Sequence, residues 1–147
     1  MREKSVMEQA TLDALYAVRK NELESVEQVF REVVGLEQEA ECALVAAQQR
    51  IVTERNAAID AQSDDQAVEA FSAWLPSGQK AVREAEAQRQ RIGMDRDCVH
   101  AALLDAQAAL SVVERLQEDA VEEHKRKALK VEQILLDECA MRPKLTS

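Results

Sequence analysis

Cys98 and His100 stand two positions apart, a spacing that can present a thiolate and an imidazole to one metal ion. A zinc site needs three or four such ligands. Cys42, Cys139 and His124 are scattered along the chain, and no second pair stands at ligand spacing. No resident metal or cofactor is expected. Carboxylates are abundant, with 28 Asp and Glu in 147 residues, and paired carboxylates can exchange protons in general acid–base catalysis. On a solvated helix face the same residues are solubilising charge. The sequence has no GxxxxGK[ST] phosphate loop, no GxGxxG and no GxSxG. Catalysis also needs a concave pocket with converging polar groups, which two paired helices do not supply. The chain is expected not to be an enzyme.

The elements that would hold these residues are set by composition. Only 3 Gly and 2 Pro punctuate the chain, where average usage of about 7% and 5% would give roughly eighteen. Apolar residues make up 46%, aromatics 3% and charged residues 32%. An all-β or α/β domain needs frequent turn residues and β-branched or aromatic strands, so the profile excludes both. With 4 aromatics a globular core is out of reach, and a long, thin helical object is expected.

From Leu23 the apolar positions advance by threes and fours through Val26, Phe30, Val33, Ala40, Leu44, Ala47 and Ile51. That is a heptad seam, the pattern of a helix winding around a partner. Glu37 takes one seam position; Tyr16 and Leu12 extend the stripe backwards past Arg19. A second seam runs through Ile92, Val99, Leu103, Ala106, Leu110, Val113, Gln117, Ala120 and His124. It then shifts by one position, as in a stutter, to Ala128, Val131 and Leu135. The spacing predicts one helical arm over about residues 5–62 and another over about 79–141, with Pro143 as the stop.

The region between the arms, 63–78, reads as a corner. Ser63-Asp64-Asp65-Gln66 fits a capping box led by Ser63. It opens a short amphipathic stretch with Ala67, Val68, Phe71, Trp74 and Leu75 on one face, and Pro76-Ser77-Gly78 then breaks or kinks it. The fold expected is all-α: a long antiparallel two-helix coiled-coil hairpin with a short helical corner, forming a single elongated domain. The alternative is a continuous rod that dimerises, which a corner holding Ser, two Asp, Pro and Gly disfavours.

A net charge of −9 argues against nucleic acid and anionic lipid, which gain affinity from Lys and Arg. No apolar run is long enough to span a membrane, and no secretory leader is expected from Met1-Arg2-Glu3-Lys4-Ser5. Three scattered cysteines are expected to be reduced in a cytoplasmic protein. Three features point beyond scaffold. Phe71, Trp74 and Leu75 could close the hairpin as a small core or anchor a partner. Residues 22–41 carry seven acids against the single base Arg31, a solvated face or a surface for a basic partner. Arg2, Lys4, Lys125, Arg126, Lys127, Lys130, Arg142 and Lys144 would make the end where the termini meet basic, partly to complement the helix dipole. Alanines at seam positions bury little, about 0.8 kcal/mol less per missing methylene, so the hairpin is expected to be stabilised by a partner.

Two coiled-coil arms, the corner Phe71-Ser72-Ala73-Trp74-Leu75-Pro76 and the charged stretch from Arg126 to Gln133 resemble the FliJ/YscO/HrpO-type stalk proteins of type III secretion systems. The resemblance implies a non-enzymatic cytoplasmic component of flagellar or virulence exporters, monomeric, reaching the membrane apparatus only through other proteins. It implies that the terminal end, with Arg126, Lys127, Lys130 and Arg142, enters the central hole of a hexameric secretion ATPase. Phe71, Trp74 and Leu75 would then face the export-gate protein or secretion chaperones. The alternative is a generic cytoplasmic coiled-coil adaptor or chaperone-like hairpin.

Overall fold

The computed structural model describes residues 2–60 and 64–142, with the side chain of Arg2 excepted. They form two helices, α1 (Arg2–Asp60) and α2 (Asp65–Met141). No strand occurs among the described residues. The class is all-α, a helical hairpin, as the two seams predict. Ser63, Pro143, Lys144 and the Arg2 side chain lie outside the described residues.

α2 begins one residue after Asp64, whose carboxylate Oδ1 accepts the Gln66 N–H at 3.1 Å while its carbonyl accepts the Ala67 N–H at 3.1 Å. Both bonds satisfy N–H groups that a helix start leaves open, which is the work of an N-cap. The cap described is therefore Asp64.

The expected break at Pro76-Ser77-Gly78 is absent. α2 runs through Pro76 in its interior, so there is no separate corner helix and no second arm beginning at residue 79. Proline removes one intrahelical bond, here to the Ser72 carbonyl, and costs about 3 kcal/mol in a helix interior. Pro76 and Ser72 are both exposed, so water can satisfy the carbonyl on the outer face. On the inner face the seam continues without a gap. Phe71, Gly78, Ala85, Ile92, Val99, Ala106 and Val113 succeed one another at intervals of seven, and each is buried or half-buried. Burial on both sides of the proline holds the helix together across it.

The hairpin divides into two compact units, Glu24–Leu104 and Met1–Leu23 with Asp105–Ser147. In the first, α1 and α2 run antiparallel: Phe30 meets His100, Glu37 meets Arg96, Glu41 meets Arg89 and Arg50 meets Trp74. Leu23 borders it on α1, and Val26, Phe30, Val33, Leu44, Ala47 and Ile51 are half-buried along the seam, with Ala40 and Ala58 buried. In the second unit Leu12, Leu15 and Tyr16 of α1 are half-buried, as are Ala106 and Leu110 of α2, and Val113 is buried at 3% exposure. Gln117 donates to Asp13 Oδ1 at 3.1 Å.

The α2 seam expected at Ala120, His124, Ala128, Val131 and Leu135 is not buried. Every residue from 118 to 142 is exposed. Val68, expected on the apolar face with Phe71, is also exposed, at 52%.

Candidate interaction surfaces

Within the unit Glu24–Leu104, the first turns of α2 bring Phe71, Trp74 and Leu75 to the inner face. All three are half-buried. The Phe71 and Trp74 rings lie 6.2 Å apart and tilted by 38°, a favourable aromatic pairing. The Arg50 guanidinium of α1 sits 5.2 Å from the Trp74 ring centre, within cation–π reach. Trp74 also covers Gly78, which is buried. A Cβ at residue 78 would come within 2.6 Å of the Trp74 ring atom Cη2. Glycine is thus what lets the indole lie along the helix. Shallow grooves of about 340 and 280 Å³ open beside the indole, one towards Phe71 and Ala58 and the other towards Gly78 and Ala47. The cluster closes the two helices on each other and leaves one side of Trp74 accessible.

Further along the same unit, the polar seam position Glu37 is met by Arg96, whose Nε lies 2.8 Å from Glu37 Oε2. The contact is ionic, and no hydrogen bond reaches that enclosed oxygen. One heptad before Arg96, Arg89 occupies the equivalent position and binds Glu41 at 2.8 Å. These two pairs flank an open groove of about 630 Å³ that also touches Leu44 and Gly93. Part of the acidic stretch 22–41 is thereby committed to internal pairing. Glu22 pairs with Arg19 and Glu32 accepts from Gln28, while Glu24 and Glu39 stay exposed.

In the other unit, Arg126 and Lys127 pair with Glu122 and Glu123 at 3.9 and 3.5 Å. These are the i,i+4 pairs that the order acid then base favours. Lys130 and Arg142 are exposed. Seven acids interleave with five Lys and Arg between residues 118 and 142, so this segment is mixed in sign rather than uniformly basic. A groove of about 480 Å³ is lined by Ser5, Leu12 and Asp13 of α1 and by Gln117, Val121 and His124 of α2. From Glu118 onward every described residue of α2 is exposed.

Cys98 is exposed, Val99 enters the seam, and the His100 ring lies 5.8 Å from that of Phe30. The histidine thus borders the interhelical packing. Cys42 and Cys139 are exposed free thiols. Among the described residues no three His, Cys, Asp or Glu side chains are grouped to hold a metal, and no helix is long and apolar enough to cross a membrane. Arg50 is a contributor that the sequence pattern did not single out, and Gly78, read there as a break, is a packing position. Counting back by sevens from Ile92 would have reached Gly78; nothing in the sequence marks Arg50 as the partner of Trp74. Comparison with protein-family models, with curated proteins and with solved structures gives no match.

Proposed function

We propose that the protein is a non-enzymatic stalk or escort component of a bacterial type III protein secretion apparatus, acting in the cytoplasm. The observation that carries this reading is that the positions of α2 spaced by seven from Phe71 to Val113 are buried or half-buried within each unit, while every residue from 118 to 142 is exposed. Paired helices offer surface to a partner, and the chemistry of such a surface is that of contact. The exposed segment with Arg126, Lys127, Lys130 and Arg142 would engage the hexameric secretion ATPase. The accessible side of Trp74, with Phe71 and Leu75 beside it, would meet the export-gate protein or a secretion chaperone. A pull-down against a hexameric secretion ATPase, with the ATP hydrolysis rate as readout, tests the reading. Binding with a changed rate is expected. Absence of both would leave a coiled-coil adaptor or chaperone-like hairpin as the function.

A further inference from the structure

Three positions of the unit Glu24–Leu104 are poorly matched. Glu27 is half-buried beside the seam, yet among the described residues it enters no ion pair and no hydrogen bond. Val68 stands at a seam position but is 52% exposed. Phe71 shares its groove with the carboxylate of Glu54. One displacement answers all three.

We propose that α2 has a second register on α1 in this unit, displaced by one heptad towards the start of α1. Seven residues are nearly two full turns, so a slide of about 10.5 Å brings the same faces together again. Each α2 residue then meets the α1 residue seven positions before its present neighbour. Arg89, now beside Leu44 in the open groove, comes to Glu37, which exchanges Arg96 for it. Arg96 stands to Val34 as Arg89 stands to Glu41, one heptad apart, and the slide carries it to Glu27. Phe71 meets Ala47 in place of Glu54, and Val68 comes to Ile51. Glu41 gives up its arginine, but its side chain is 52% exposed and water replaces the contact. The opposite slide is closed. It would set Leu103 against Glu37, whose Oε2 is enclosed, and leave that carboxylate without a cation.

The present register is held by contacts that the slide breaks, Arg50 with Trp74 at 5.2 Å and Phe30 with His100 at 5.8 Å. In the second register Trp74 faces Ala43 instead of Arg50. Asp60 and Asp65 are five Cα steps apart, a reach of about 17 Å. A slide of one heptad between packed helices needs roughly 14 Å. A partner that draws the accessible side of Trp74 away from Arg50 therefore favours the second register and converts contact at the first turns of α2 into movement along α1. The inference stands on the pairing within this unit and not on the secretion reading.

Disulfide trapping in the purified full chain tests it, in a Cys42→Ser/Cys98→Ser/Cys139→Ser background. Ala47 and Gly78 line one groove, so one heptad on Ala40 faces Ala85. Ala85→Cys is combined in turn with Ala40→Cys for the present register, Val33→Cys for the second and Ala47→Cys for the opposite slide. The 40–85 link should form fastest within one chain, the 33–85 link more slowly, and the 47–85 link at least tenfold more slowly than 33–85. Arg50→Ala should speed the 33–85 link at least fivefold, and adding Glu27→Gln should reverse that gain without slowing the 40–85 link. Absence of the 33–85 link, with and without Arg50→Ala, would overturn the inference. So would equal rates at 33–85 and 47–85, which is general opening rather than sliding, or a 33–85 link indifferent to Glu27→Gln.

Discussion

Glycine at three helical positions plays two different parts. A Cβ at Gly35 or Gly93 would meet nothing within 4 Å, so alanine there brings only its helix preference, about 1 kcal/mol per site. Gly35→Ala and Gly93→Ala should each raise the thermal midpoint. Gly78→Ala brings the same preference but drives the new methyl into the Trp74 ring. It should lower the midpoint and shift tryptophan emission as the indole leaves Arg50. The Glu37–Arg96 pair is argued at this scale too. Arg96→Ala leaves the enclosed Glu37 carboxylate without its cation, at a cost of about 1–3 kcal/mol. Glu37→Leu/Arg96→Leu, which replaces the pair by an apolar contact, should be as stable as the parent or more so. Denaturant midpoints of the single and double variants test both statements.

At the scale of the helices, the seam was legible because its spacing is nearly unbroken. Leu12 to Ile51 and Ile92 to Val113 lie on the faces their heptad positions assign. Even the polar intruder Glu37 sits in the seam, made tolerable by Arg96. The passage through Pro76 was less legible. Ser, Pro and Gly are read as punctuation from local preference, but local preference yields when burial on both flanks favours continuation. Asp64 caps α2 through the bond to the Gln66 N–H. Asp64→Ala should therefore destabilise the hairpin by about 1 kcal/mol, seen as a lower midpoint by circular dichroism. The end of the seam was invisible for a different reason: heptads report what could be packed, and residues 118–142 keep the pattern although each is exposed and, among the described residues, α1 reaches only the groove it lines with residues up to Lys127.

For the molecule as a whole, the apolar residues classed as buried among those described are Ala40, Ala58 and Val113. A structure with so little enclosed apolar volume is stabilised by anything that binds its folded form. The thermal midpoint should rise with a saturating hexameric secretion ATPase, and an unchanged midpoint would count against that partner. Surface residues proposed to bind were the least readable part of the sequence, since exposure and charge are shared by many positions that bind nothing. The proline in α2 has one more consequence. With no amide hydrogen to offer Ser72, it leaves a notch in the helix's ladder on the wet side, next to the aromatic cluster. Isotope exchange of the neighbouring amides should be faster there than in the packed turns around Val99, making this a point where the interior of the helix opens.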